Sequence, residues 1–205
     1  MKTSTLVLLV ILGFIVVVGG CVGCGAVGFK NSTVDLDQTV QDKWGAVQSD
    51  YQRRADLIPN LVNTVKGEAN FEKSTLEAVI QARASATQIK VDASDLTPEK
   101  LQQYQAAQGQ ISSALGRLLA VSENYPNLQT NAAFQGLQTQ LEGTENRIKV
   151  SRNDFNDAVK AYDAQLQKFP NSIYAGWFGY KVKAYFQADA GADHAPTVNF
   201  GDSTK

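Results

Sequence analysis

The sequence predicts an all-α protein: an up-and-down antiparallel four-helix bundle with long helices, preceded by an N-terminal membrane segment. Three observations predict it. No charged residue occurs from Thr3 to Phe29, apolar residues beyond residue 30 recur at steps of three and four, and Gly and Pro fall into a few places while Ala, Gln, Lys and Leu are frequent. The 205 residues, 43% hydrophobic and 19% charged, suit one domain of ordinary size. Lys+Arg 19 against Asp+Glu 20 leaves a net charge of -1, which gives no basic excess for nucleic acid. Two Cys and one His exclude a disulfide scaffold, a zinc ribbon and a histidine-rich metal site.

Residues 1–29 read as a transmembrane anchor or a lipoprotein signal. The run Leu6 to Val18 is apolar throughout, and Leu6 to Phe29 is long enough to span a bilayer core of about 30 Å if its glycines are helical. Alternatively, Lys2 is an n-region, Leu6 to Val18 an h-region, and Val18-Gly19-Gly20-Cys21 a lipoprotein box with Cys21 as the lipidated residue. Cys21 and Cys24 also have C-x-x-C spacing, but an apolar Gly-rich setting is not that of a redox pair. Lys2 with the terminal amine nearly balances Lys30 and Lys43 under the positive-inside rule. The favoured location is a bacterial membrane, single-pass or lipid-anchored, with the body outside the cytoplasm.

Residues 30–172 read as the bundle. Leu36, Val40, Trp44, Val47, Tyr51 and Ile58 form a first stripe, continued by Leu61, Val62 and Val65. Pro59 either kinks that helix or lies in the first turn of a new one capped by Asp56. Leu76, Val79, Ala82, Ala86 and Ile89 mark a second helix, broken between Val91 and Asp95. Thr97-Pro98-Glu99-Lys100 starts a third, with Thr97 as N-cap, Pro98 at the first position and Glu99 near the positive end of the dipole. Its stripe is Leu101, Tyr104, Ile111, Leu115 and Leu118, ending by Tyr125-Pro126. The last helix runs from about Thr130 to Phe169 with a near-heptad seam of Phe134, Leu137, Leu141, Ile148, Phe155, Ala158 and Tyr162, interrupted by Thr144 and Ser151.

Several runs are also familiar in order: Tyr51-Gln52-Arg53-Arg54-Ala55-Asp56-Leu57-Ile58-Pro59-Asn60-Leu61-Val62, Leu76 to Arg83, Glu123-Asn124-Tyr125-Pro126-Asn127-Leu128, Leu141 to Ile148, and Phe169-Pro170 with Phe178-Gly179. Together they resemble the signature of the bacterial LemA family over about residues 30 to 190. The resemblance implies an N-terminal membrane segment and a helical body. It carries over no catalytic or binding residue and no cofactor.

Candidate chemistry is sparse. Arg53, Arg54 and Asp56, extended by Asn60 and Asn63, form a candidate partner-binding patch, since guanidinium groups bind carboxylates and phosphates bidentately. Glu142 with Glu145, and Asp154 with Asp157, have the spacing of a bundle-core metal site but lack histidines, the one His being His194 in the tail. Residues 173–205 form an aromatic-rich segment and tail. Its Tyr174, Trp177, Phe178, Tyr180, Lys181 and Lys183 either seal the open end of the bundle or lie at a membrane interface. These features point to a membrane-tethered, non-enzymatic scaffold or adaptor with a membrane or envelope protein as partner. The alternatives are a lipid-interface envelope protein and a carboxylate-based metal protein.

Overall fold

In a computed structural model the chain is described over residues 3–187, and its side chains over residues 8–187 with Ser94 excepted. His194 and the rest of the tail lie outside these residues. The described chain is helical: α1 (Thr3–Lys66), α2 (Lys73–Gln88), a 3-10 turn (Ala93–Asp95), α3 (Pro98–Ser122), α4 (Pro126–Gln129), α5 (Ala132–Gln167) and α6 (Asn171–Phe178). Four long helices, α1, α2, α3 and α5, build the expected antiparallel bundle, and α4 and α6 are short additions.

Cross-helix partners define the topology. Gln165 with Ser32, Lys43 with Asp154 and Arg54 with Glu145 run in opposite senses along α1 and α5, so these two helices are antiparallel. α2 returns along α1, with Arg83 beside Ala55 and the Val91 carbonyl accepting from Trp44 Nε1 at 3.0 Å and Gln48 Nε2 at 2.9 Å. Those two donors fix the break expected between Val91 and Asp95, because they satisfy a carbonyl that has left the helix.

α1 is a single helix of 64 residues, or roughly 96 Å at 1.5 Å per residue. The boundary expected after residue 29 therefore falls inside one continuous element, and the Gly-rich stretch does not interrupt it. Pro59 neither restarts the helix nor receives a cap from Asp56, whose carboxylate instead accepts from Gln52 one turn earlier. The reason lies across the bundle. Proline has no N–H, so the Ala55 carbonyl loses its ordinary donor, and Arg83 Nε of α2 donates to that oxygen at 2.8 Å.

The remaining helix ends follow local chemistry. Thr97 caps α3 by accepting from Lys100 N, with Pro98 in the first turn. Asn131 caps α5 by accepting from Ala133 N at 2.9 Å and Phe134 N at 3.3 Å, close to the start expected at Thr130. Along α5, Phe134, Leu141, Ile148, Phe155, Ala158 and Tyr162 are buried, and the two polar interruptions return their hydroxyls to the same helix. Thr144 donates to Gln140 O and Ser151 to Ile148 O.

The core divides into two clusters. One, rich in aromatics, holds Phe29, Trp44, Tyr51, Tyr104, Phe155 and Phe186. The other, mainly aliphatic, holds Ile58, Leu61, Val65, Ile111, Leu118 and Leu141. Their division falls at Arg54.

Substituting Arg83→Ala leaves the Ala55 carbonyl without a protein donor and lowers unfolding free energy by roughly 1–2 kcal/mol. Pro59→Ala restores an N–H to that carbonyl, so the Arg83→Ala loss shrinks in its background. A double-mutant cycle by urea unfolding checks this, and equal losses in both backgrounds contradict the account.

Candidate functional site

α1 leaves the bundle beyond Phe29. From Leu8 to Val18 its apolar side chains are exposed, with Leu12, Phe14 and Val16 more than half so. By length and composition this is a helix able to cross a membrane. Cys21 and Cys24 are exposed free thiols on it.

At this exit end α6 packs across α1. Tyr174 OH donates to Val22 O at 3.4 Å, and a Cβ at Gly25 would lie 2.8 Å from the same hydroxyl oxygen, so the close approach depends on glycine there. The Phe29 ring meets Tyr174, Phe178 and Tyr180 at centroid distances of 5.7, 6.3 and 5.9 Å. α6 ends at Gly179, whose φ of 72° suits glycine, with Tyr180 N donating to Ala175 O at 3.0 Å.

The six interface candidates therefore separate. Trp177, 67% exposed, faces outward with Lys181, as do Ile173 and the 82% exposed Phe169, whereas Phe178, 45% exposed, stacks one face on Phe29 and leaves the rest of its ring outward. Tyr174 is buried and Tyr180 half-buried, because both pack on α1. Lys183 also turns inward: Nζ lies 2.7 Å from Asp37 Oδ1 and 5.0 Å from the centre of the Tyr162 ring.

After α6 the chain returns along the bundle without regular structure. The buried Asp163 carboxylate accepts from Lys183 N and Tyr185 OH, both at 3.0 Å. The Asn156 amide donates to Phe186 O at 3.0 Å and accepts from Phe186 N at 2.9 Å. The Phe186 ring then packs among Trp44 and Phe155, with the Arg152 guanidinium 4.9 Å from its centre. This stretch is part of the core, so the segment expected as residues 173–205 is not structurally separate over its described portion.

Arg53 and Arg54 do not form one exposed patch. Arg53, Asp56, Asn60 and Asn63 are exposed, whereas Arg54 is 2% exposed because neighbouring α1 positions take successive 100° steps around the helix. Arg54 Nη1 donates to Ser112 Oγ at 2.8 Å and Glu145 Oε2 at 2.9 Å. Nη2 donates to Gln108 O at 3.0 Å and Gln108 Oε1 at 2.8 Å, and the guanidinium stands 5.1 Å from the Tyr51 ring centre. The arginine thus ties α1 to α3 and α5 between the two core clusters. The carboxylate pairs are likewise drawn apart: Glu145 faces Arg54, Glu142 accepts from Gln138, and Asp154 pairs with Lys43. Among the described residues no group of three or more metal-ligating side chains gathers.

Burial raises the Tyr104 phenol above its ordinary pKa, the Tyr51 phenol adds to this, and Arg54 opposes it. Tyr162 is pushed up to about 12, first by burial and then by Asp37, Tyr180 and Asp163. Burial also raises Tyr185, which donates to Asp163. The inward-facing anchors Arg83, Asn156 and Asp163 were not among the sequence candidates. The available signal for the last two was their place on the flank of the α5 seam, beside Phe155 and Tyr162.

The architecture is that of a long-helix antiparallel bundle whose first helix extends outward as an exposed apolar rod, tied internally by one buried arginine. The chain belongs to the LemA family, whose sequence pattern matches residues 43–200. It is 28% identical over 180 residues to magnetosome protein MamQ 2 of Paramagnetospirillum magneticum, covering 80% of this chain and 66% of that protein. MamQ of Magnetospirillum gryphiswaldense is 26% identical with the same coverage. Protein LemA of Metamycoplasma hominis is 25% identical over 162 residues, covering 79% of this chain and 70% of that protein. The match thus spans just under two thirds of the length of the magnetosome relatives.

Arg54→Ala removes a charge that holds three helices and costs about 3 kcal/mol, whereas Glu145→Gln costs less because that carboxylate is 41% exposed. Chemical denaturation of both variants checks the order. Tyr162 sets a second expectation: its contribution is complete below about pH 10, the ordinary phenol value, and is lost as pH rises through about 12. Phenolate absorbance and helical circular dichroism should show late ionisation coupled to unfolding.

Proposed function

We propose that this protein is a membrane-tethered, non-enzymatic helical scaffold or adaptor whose body rests on the lipid surface through α6. The observation that carries this reading is the gathering of exposed Phe169, Ile173, Trp177 and Phe178 where the apolar part of α1 leaves the bundle. Aromatic side chains favour the water–lipid boundary, and the adjacent Lys168 and Lys181 suit phosphate headgroups. The tether is α1 as a single span or a lipid on Cys21, and the body lies outside the cytoplasm of a bacterial cell. The partner is a membrane or envelope protein, for which Arg53, Asp56, Asn60 and Asn63 offer an exposed polar face. Neither nucleic acid nor a cofactor enters this role. The carboxylate-based metal reading is weaker, since Arg54 engages Glu145.

The chain has two tryptophans, one buried at Trp44 and one exposed at Trp177. In vesicles with brominated acyl chains, Trp177 emission should be quenched, while a Trp177→Phe variant, emitting from Trp44 alone, should show little quenching. Equal quenching in both proteins, or none in either, overturns the interfacial placement of α6. Cross-linking mass spectrometry in native membranes tests the adaptor role separately: a defined membrane-protein partner supports it, and self-contacts alone count against it.

A further inference from the structure

Charge is unevenly spread along this chain. Residues 1–34 hold Lys2 and Lys30 and no carboxylate, and residues 164–187 hold Lys168, Lys181 and Lys183 and again no carboxylate. The fold brings the second stretch against the end of α1 that leaves the bundle, through Gln165 with Ser32 and Tyr174 with Val22. The whole chain has a net charge of -1, so the remainder is acidic. Cations therefore gather at the exit end and carboxylates away from it.

The heights of three lysines follow from the packing. A hydrocarbon core of about 30 Å takes about 20 helical residues at 1.5 Å each, so a span that begins at Leu6 ends near Gly25, where Tyr174 seats α6. Lys30 comes about 7.5 Å beyond Gly25, in the headgroup layer. On the antiparallel α5, Gln165 meets Ser32, so Lys168, three residues on, is level with Phe29. Lys181 follows Tyr180, whose ring lies 5.9 Å from that of Phe29. Three parts of the chain thus bring one lysine each to a single level, and all three lysines are exposed. Lys183 sits higher and is taken by Asp37. Asp35, the first carboxylate on α1, stands about 7.5 Å above Lys30. Toward the span, α6 presents the exposed Ile173 and Trp177.

We propose that this end of the body selects anionic phospholipid: Lys30, Lys168 and Lys181 gather phosphodiester headgroups around the outward side of α6. The proposal rests on the placement of α6 at the bilayer and adds the chemistry of the lipid it meets. A zwitterionic headgroup brings its own ammonium to each phosphate and offsets the attraction, whereas an anionic one leaves the phosphate charge to the lysines. Lysine suits this task, since its apolar stem lies along the boundary while the ammonium reaches a phosphate. The acidic remainder reinforces the choice, because an anionic surface attracts the exit end and repels the rest of the body. The attraction acts within a Debye length, about 8 Å at physiological salt, which reaches the level of the three lysines.

The test uses the full-length protein in vesicles of phosphatidylcholine with about 20 mol% phosphatidylglycerol, in which bromine is carried either by the phosphatidylglycerol or by an equal amount of the phosphatidylcholine. Lipid composition is then identical and only the label moves. Trp177 emission, taken as the difference from the Trp177→Phe variant, should be quenched at least about twofold more by brominated phosphatidylglycerol. The preference should vanish in the triple variant Lys30→Gln, Lys168→Gln, Lys181→Gln and at about 1 M salt, where the Debye length falls to about 3 Å. It should persist when the same three lysines become Arg, and when Lys66, Lys90 and Lys149, exposed elsewhere on the body, become Gln instead. Circular dichroism checks that each variant keeps its helices. Equal quenching by the two labels overturns lipid selection and leaves α6 at the bilayer. So does a preference that survives in the triple variant or is lost in the distant one. Quenching by neither label removes the interfacial placement itself, and the selection with it.

Discussion

A positive charge that cannot reach water organises the middle of this bundle. Arg54 lies between an aromatic cluster and an aliphatic one, and its guanidinium is held by Gln108, Ser112 and Glu145 from two other helices. A buried ion of this kind adds little net stability compared with a well-packed apolar replacement, because desolvation offsets most of the attraction. Its effect is on register. Sliding α5 by one turn would move Glu145 by about 5.4 Å and leave the charge uncompensated, whereas an all-apolar layer would tolerate the slip at far lower cost. The salt link and the hydrogen bonds to α3 therefore specify one alignment of three helices among several that hydrophobic packing alone permits.

A second polar device secures α2. Pro59 costs α1 a hydrogen bond, and the orphaned Ala55 carbonyl becomes an acceptor at a known height on the helix, which Arg83 occupies. What looks like a helix breaker in one dimension acts as a docking point in three. Trp44 and Gln48 use the same principle further along, anchoring the chain just past α2 by the Val91 carbonyl. Polar positions thus set where the helices meet, while the apolar stripes supply most of the burial.

The end at which α1 leaves the bundle is joined to its interior by one short stretch of chain. α6 is seated on Gly25 and Phe29, Gly179 reverses the direction, and the following residues reach Trp44 and Phe155 through Phe186. A lipid surface beneath Trp177 would consequently touch one end of a continuous segment whose other end is packed into the core through Phe186. Membership in the LemA family is consistent with that architecture and assigns no chemistry to it.

Much of this was readable from residue order. The stripe from Val40 through Tyr51 to Val65, the α5 seam from Phe134 to Tyr162, the Thr97 cap and the uncharged N-terminal run each depend on neighbours within a turn or two, so periodicity and local hydrogen bonding determine them. Pattern also placed Trp177 and Phe178 in an aromatic cluster, but it could not divide that cluster into exposed and buried members. The roles of Arg54, Arg83, Asn156 and Asp163 were decided by tertiary structure alone. A polar side chain on the flank of an apolar stripe reads the same whether it meets water or a carbonyl on another helix. Only the rotation and height of the facing helix tell the two apart, and those are properties of the packed bundle.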